Sequence, residues 1–202
     1  MQLKLDPNDY WNPEIYKINS EYNIKNVDYT IADIEFNKTK VMICGRGEFS
    51  HPNFHPRFST PTTNIDSELY VTVDHDPNYV NYITRKGCYV LSLIVDPVIA
   101  KKILKMGGKI FWFSPDYFNF DIPKIIPGKF PIGNSGLSAI SLASYLKVKF
   151  ILLSGIQLTR KYNQYLDGKE IVFDNVTNSG TKIFSLDGVL AEKLSYDDWC
   201  NL

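Results

Sequence analysis

Two acidic residues follow an apolar run in the first half of the chain. Asp74 and Asp76 come directly after residues 69–73 (LYVTV), a run that predicts a strand. One interpretation is that both carboxylates bind Mg²⁺ or Mn²⁺ against a nucleotide diphosphate, since hard cations prefer oxygen ligands. The other, which we favour, has Asp74 on ribose hydroxyls and Asp76 capping a helix predicted over residues 78–86. In either case Asp74 faces a crevice.

The three histidines of the chain are candidate acid–base groups. His51 and His55 belong to a proline-containing stretch, residues 51–64, that predicts a stiff, irregular loop, and His75 lies between the two aspartates. Histidine changes charge near neutral pH, and a histidine after a strand is well placed for catalysis. The alternative is that these imidazoles are solvated loop residues. His51, His55 and His75 are therefore the candidate catalytic bases.

A first glycine turn follows a predicted strand over residues 40–44. Gly45 and Gly47 match the first two glycines of the dinucleotide-binding pattern G-x-G-x-x-G, and Ser50 takes the third position. Asp74 follows Gly47 at a spacing close to that of the acidic ribose ligand in such folds. The turn predicts a nucleotide site, although the carboxylate of Glu48 would repel a phosphate.

A second glycine turn opens a helix. Gly133 and Gly136 flank Asn134 and Ser135, and an apolar stripe with helical spacing follows over residues 139–146. The backbone amides of this turn would lie at the positive end of the helix. The turn therefore predicts an anion site.

The next apolar run, residues 150–153, is too short for a buried helix and predicts an interior parallel strand. Ser154 and Gly155 end it, so a functional loop is expected there. Arg160 in that loop could neutralise a phosphate or carboxylate, although a solvated loop is an equal alternative.

Strands alternate with helices along most of the chain. Further strands are predicted over residues 89–95, 109–114 and 181–185, and helices over residues 97–106 and 196–200. This order predicts an α/β fold with a single doubly wound, mainly parallel, Rossmann-like sheet and helices on both faces. Residues 1–39 are expected to form a lead-in packed on the domain, and residues 40–202 the Rossmann-like domain.

Composition narrows the classes of protein to be considered. The chain has 202 residues, enough for one domain, and its 22 basic residues balance 22 acidic ones. No apolar run approaches the roughly 20 residues that span a bilayer, and no leader pattern begins the sequence. Three widely spaced cysteines fit reduced thiols. We therefore expect a cytoplasmic protein with a small-molecule partner, no membrane span and no nucleic-acid patch.

Residues 131–158 (PIGNSGLSAISLASYLKVKFILLSGIQL) resemble a known group of Rossmann-like proteins. This group includes bacterial sialyltransferases of the Campylobacter type, archaeal 6-hydroxymethylpterin pyrophosphokinases and motility-associated glycosylation factors. In it a Gly-Asn-Ser turn opens a helix, and the next strand reads much like ILLSGIQL. The resemblance implies a nucleotide or nucleotide-sugar ligand, and it implies that Tyr162 and Tyr165 bind substrate. The group's late histidine base has no counterpart, because no histidine follows His75.

The first functional hypothesis is a transferase that binds a nucleotide-activated donor, in particular a nucleotide sugar, between the loops at Gly45, Asp74, Gly133 and Gly155. A second is Mg-ATP-dependent pyrophosphoryl transfer, which the pterin enzymes of the group imply. A third is a Rossmann-like nucleotide-binding or interaction protein without catalysis. A methyltransferase using S-adenosylmethionine is a weaker fourth.

Overall fold

The computed structural model describes residues 13–47, 54–115, 127–130, 134–156, 172–186 and 190–202. Its helices are α1 (Pro13–Asn23), α2 (Pro97–Lys105), α3 (Ser135–Tyr145), α4 (residues 172–178) and α5 (Tyr196–Asn201). Its strands are β1 (Lys40–Cys44), β2 (Arg57–Ser59), β3 (Leu69–Thr72), β4 (Cys88–Ser92), β5 (Lys109–Pro115), β6 (Lys129–Phe130), β7 (Phe150–Ser154), β8 (Lys182–Ser185) and β9 (Glu192–Lys193).

The strands of the described chain form one parallel sheet. Their order is β6-β5-β4-β3-β2-β1-β7-β8-β9, and every neighbouring pair is parallel. From β1 in the middle, the chain builds outward through β6 on one side and then returns to add β7, β8 and β9 on the other. The winding direction therefore reverses between β1 and β7, which is the topological switch point of a doubly wound sheet.

Helices cover both faces of the sheet because alternate strand residues point in opposite directions. Val41 and Ile43 of β1 are fully buried in the apolar cluster that contains the α3 stripe. Met42, between them, belongs to the opposite cluster, with Trp199 of α5. On this second face, farther along the sheet, α2 packs on β4 and β5. The predicted α/β, doubly wound, parallel Rossmann-like architecture is confirmed.

The segment before β1 is attached to the carboxyl end of β4. Asn23, 1% exposed, donates from Nδ2 to the carbonyl oxygens of Leu93 and Val95 at 2.9 and 2.8 Å. Asn19 donates in the same way to Ile94 at 2.9 Å. These buried hydrogen bonds satisfy carbonyls that follow β4 and hold α1 beside them.

Two expected local structures were wrong. The stretch 51–64 contains β2, an interior strand whose Phe58 is fully buried, rather than only an irregular loop. This strand has only three residues and lies between two prolines, so it is too short for the alternating pattern of a strand to be visible in the sequence. The helix expected over residues 78–86 is a 3₁₀ helix, Pro77–Tyr82. Residues 116–126, between β5 and β6, lie outside the described ranges.

The described ranges hold no helix with both the length and the apolar character needed to cross a bilayer. The three cysteines are free thiols, as expected. Burial raises the pKa of Cys44 to about 12, so this thiol stays protonated and behaves as a small apolar residue.

Candidate functional site

A cavity of about 480 Å³ opens at the carboxyl edge of the sheet, next to the switch point. Cavities of this size hold small-molecule ligands. Four strand ends and the start of α3 form its walls. The lining residues are Gly45 and Arg46 after β1, Thr60 and Thr62 after β2, Asp74, Asp76, Asn78, Tyr79, Asn81 and Tyr82 after β3, Asn134, Ser135 and Gly136 at α3, and Gly155 and Ile156 after β7.

The floor of the cavity is a close contact between the ends of β1 and β7. Gly45 N donates to Ser154 O at 2.9 Å, and Gly47 N donates to Gly155 O at 2.8 Å. Gly155 has a φ of +63°, which a glycine adopts without strain. In the turn that was predicted to bind a nucleotide, the amides of Gly45 and Gly47 thus donate to the chain at the end of β7, and Gly47 is not a lining residue. Because Gly45 and Gly155 have no side chains, the backbones at the ends of β1 and β7 can be in direct contact here.

The start of α3 also has its own hydrogen-bond acceptor. Asn134 Oδ1 accepts from the amides of Gly136 at 2.7 Å and Leu137 at 3.3 Å, so Asn134 is the helix N-cap. Gly133, the first glycine of the predicted anion turn, lies outside the described residues. An anion at this helix end would therefore compete with the Asn134 side chain for the amides.

Replacing Asn134 with alanine is expected to lower the free energy of unfolding by about 1 kcal/mol, because the capping oxygen is lost. The matched variant is Asn134→Asp, which keeps an acceptor and places a negative charge at the positive helix end. It should retain wild-type stability. Urea denaturation of the three proteins measures the difference. An alanine variant as stable as wild type would show that the cap contributes nothing.

The loop after β3 is fixed by a chain of short hydrogen bonds. Asp74 N donates to Thr72 Oγ1 at 3.2 Å, and Asp74 Oδ1 accepts from Asp76 N at 3.0 Å. Asp76 Oδ1 in turn accepts from the backbone and side-chain nitrogens of Asn78, so Asp76 caps the 3₁₀ helix. From α3, Ser135 Oγ accepts from Val73 N at 3.3 Å. The segment that carries Asp74 is therefore held by groups from β3 and α3.

The two aspartates do not form a cation site by themselves. Within the described part of the chain no cluster of three or more His, Cys, Asp or Glu residues is arranged to hold a metal ion. Oδ1 of each aspartate already accepts a backbone hydrogen bond. Mg²⁺ or Mn²⁺ at Asp74 and Asp76 stays a prediction that would require oxygen ligands from a bound phosphate.

Replacing Asp74 with asparagine is expected to stabilise the fold at neutral pH. Burial is the main cause that raises the pKa of Asp74 above its ordinary 3.8. The folded chain therefore binds the proton of the Asp74 carboxyl group more tightly than the unfolded chain does. The contribution of this proton to the free energy of unfolding is lost as the pH rises from 3.8 through the pKa of the folded state. Asparagine keeps an acceptor oxygen for Asp76 N but carries no charge.

The measurement is the urea midpoint of both proteins from acid to neutral pH. The two should coincide at about pH 3, where the carboxyl is protonated in both states, and the asparagine variant should become the more stable one as the pH rises. A variant that is less stable than wild type at neutral pH would contradict the prediction.

The described histidines lie away from the cavity. His75 packs edge-on against the ring of Tyr16 in α1, with the centroids 4.7 Å apart, and burial lowers its pKa. His55 lies between Arg57 Nη2, 2.9 Å from its Nε2, and Glu68 Oε1, 3.1 Å from its Nδ1. Neither is a lining residue. His51, Arg160, Tyr162 and Tyr165 lie outside the described ranges, so their roles stay predictions.

No protein-family model and no curated protein matches this chain. Among solved structures it is similar to the apo form of the alpha-2,3-sialyltransferase from Campylobacter jejuni. The two are 15% identical, the match covers 76% of this chain and 77% of that one, and the TM-score is 0.38. At this level the similarity assigns no family and no activity to the chain. It gives no support to the resemblance to pterin pyrophosphokinases or motility-associated glycosylation factors.

Sequence reasoning placed seven of the lining residues at strand or helix ends, and the structure brings them around one cavity: Gly45, Asp74, Asp76, Asn134, Ser135, Gly136 and Gly155. It missed the other lining residues, among them Arg46, Thr60, Thr62, Asn78, Tyr79, Asn81, Tyr82 and Ile156. The threonines could be found only with β2, which the sequence did not reveal. The residues of the 3₁₀ helix directly follow Asp76, and this position after a predicted site residue was the one indication in the sequence that they could line the cavity.

Proposed function

We propose that the protein is a glycosyltransferase-like transferase that binds a nucleotide sugar in this cavity. The supporting observation is the convergence of four strand ends and the start of α3 on one polar cavity at the switch point. Open parallel sheets bind nucleotide ligands at this place. Carboxylates, amides and hydroxyls line the cavity, and these groups suit the hydroxyls of a ribose and a sugar.

The charges around the cavity favour a nucleotide sugar over ATP. Among the described lining residues Arg46 is the single cation, and it faces a lining that also contains Asp74 and Asp76. ATP carries more negative charge than a nucleotide sugar, so it would depend more on a cation that these residues do not hold by themselves. In the proposed complex Arg46 interacts with the phosphate, while Asp74 and Asp76 accept hydrogen bonds from the hydroxyl groups of the ribose and the sugar.

One observation favours a second candidate, a nucleotide-binding protein without catalysis. No histidine of the described ranges lines the cavity, so no acid–base group of that type is brought to it. His51 is the remaining histidine and lies outside those ranges. An assay of group transfer therefore distinguishes a transferase from a protein that only binds the nucleotide.

The first experiment is thermal unfolding with CMP-, UDP- and GDP-sugars, ATP and S-adenosylmethionine, each with Mg²⁺ and with a chelator. A ligand at 100 times its dissociation constant adds about 2.7 kcal/mol to the free energy of unfolding. A nucleotide sugar should give the largest shift. Stabilisation by ATP and Mg²⁺ alone would favour the pyrophosphokinase, and no shift with any compound would contradict nucleotide binding.

The second experiment asks whether the bound nucleotide sugar reacts. The best ligand is incubated with the protein, and release of free nucleotide is followed by chromatography, with water or an added sugar as the acceptor. Release above the rate without protein supports the transferase. Binding without release supports the non-catalytic alternative.

A further inference from the structure

The 3₁₀ helix Pro77–Tyr82 forms one side of the cavity, although its sequence contains no functional motif. Four of its six residues, Asn78, Tyr79, Asn81 and Tyr82, line the cavity. Three of these, Asn78, Asn81 and Tyr82, are also exposed to solvent. An aromatic ring and two side-chain amides are thus presented side by side.

This helix is held from three directions. Tyr79 is 8% exposed, and its hydroxyl lies near Thr62 and Thr72. From α2, Lys102 Nζ donates to Val80 O at 3.0 Å. Ile83, directly after the helix, is fully buried. Groups on an element fixed in this way lose little freedom when a ligand binds to them.

Tyr82 is placed as a platform. Its ring lies 5.3 Å from the ring of Tyr79, tilted by 58°, so the buried tyrosine supports one side of it. The Tyr82 side chain is nevertheless 45% exposed. An exposed aromatic ring at the edge of a polar cavity offers a face on which a flat ligand group stacks.

The two amides have hydrogen-bonding capacity to spare. Asn81 makes no side-chain hydrogen bond with the rest of the described chain. Asn78 donates one N–H to Asp76 Oδ1 at 3.0 Å, which leaves its carbonyl oxygen and its second N–H. A side-chain amide presents a donor and an acceptor next to each other, and the hydrogen-bonding edge of a nucleobase does the same.

We infer that Asn78, Asn81 and Tyr82 form a nucleobase subsite, in which the base stacks on Tyr82 and its edge pairs with the two amides. This inference rests on the proposed nucleotide-sugar function and assigns the orientation of the ligand. The base lies at the loop after β3, and the phosphate lies toward Arg46 after β1. The two loops are separated by two strand spacings, about 10 Å, which a nucleoside monophosphate spans.

The test uses four nucleoside monophosphates, CMP, UMP, AMP and GMP, together with ribose 5-phosphate, which lacks a base. Dissociation constants are measured by calorimetry for wild type, Tyr82→Ala, Tyr82→Phe and Tyr145→Ala. Tyr145 is a matched control because it is 40% exposed and is the last residue of α3, away from the cavity lining. Melting curves establish that each variant is folded.

Tyr82→Ala should weaken the best nucleotide on the order of 5- to 150-fold, the range for loss of one stacked base. Tyr82→Phe and Tyr145→Ala should bind as wild type does, and ribose 5-phosphate should bind equally to all four proteins. A fifth protein, Asn81→Ala, is measured in the same way and should show smaller differences in affinity among the four nucleotides.

Three results would overturn the inference. Unchanged nucleotide affinity in Tyr82→Ala would show that no base stacks there. An equal loss for ribose 5-phosphate would assign Tyr82 to the sugar or phosphate. If wild type binds none of the nucleotides or nucleotide sugars, the proposed function fails together with the subsite, whereas nucleotide binding that is insensitive to Tyr82 contradicts the subsite alone.

Discussion

Gly45→Ala is expected to lower the free energy of unfolding by about 3 kcal/mol. A Cβ atom at this position would lie 2.5 Å from the carbonyl oxygen of Gly155 and 3.0 Å from its carbonyl carbon. Both are backbone atoms, so no side-chain rotation relieves the overlap. The ends of β1 and β7 would have to separate, and the hydrogen bond from Gly45 N to Ser154 O would be strained or lost.

Gly180→Ala is the matched control for this prediction. Gly180 has a φ of +87°, but no atom lies within 4 Å of a Cβ placed there. Its alanine variant is therefore expected to carry only the cost of an unfavourable backbone conformation, about 1–2 kcal/mol. Urea denaturation compares the two variants. If Gly45→Ala is no less stable than Gly180→Ala, the contact between β1 and β7 is not as close as described.

The contact at Gly45 also shows how far the sequence predicts the site. The bounds of β1 were predicted correctly because an apolar run between a lysine and a glycine indicates a buried strand. The edge of the sheet that carries the cavity then follows, since ligands bind where parallel strands end. The sequence could not reveal that Gly155 O accepts the Gly47 amide, because that bond depends on β7, more than 100 residues later.

The structure places His75 outside the cavity lining for a reason that is partly visible in the sequence. Successive residues of an extended chain point to opposite sides. Asp74 and Asp76 therefore share one side, which is the cavity, and His75 points to the other, where it meets Tyr16. His55 could not be placed in this way, because its position depends on the unpredicted strand β2.

The sequence predicted neither that the helix after β3 is a 3₁₀ helix nor that it lines the cavity. The sequence analysis predicted a helix over residues 78–86 capped by Asp76, and nothing in that pattern indicated which residues would face the cavity. Here the anchor is tertiary: Tyr79 is buried, and Lys102 Nζ of α2 donates to Val80 O. Lining groups on such an element carry no motif, so the structure is needed to find them.

Trp199→Ala is expected to lower the free energy of unfolding by about 3–5 kcal/mol. Trp199 is fully buried and packs in one cluster with Met42, Cys44 and Leu152. Its carbonyl oxygen accepts from Lys40 Nζ at 3.3 Å. The indole therefore attaches α5 to the centre of the sheet, behind the strands whose ends form the cavity, and its removal leaves a void that neighbouring side chains fill only in part.

Trp199→Phe separates ring packing from the indole N–H. The buried Nε1 has no hydrogen-bond partner within the described chain, so wild type bears the cost of an unsatisfied donor, about 1–3 kcal/mol. Phenylalanine removes that donor and keeps most of the apolar contact. The decrease in the free energy of unfolding should be less than half as large for Trp199→Phe as for Trp199→Ala, as measured by urea denaturation at neutral pH. Equal losses in both variants would contradict the prediction, because they would show that the indole N–H contributes to stability instead of costing it.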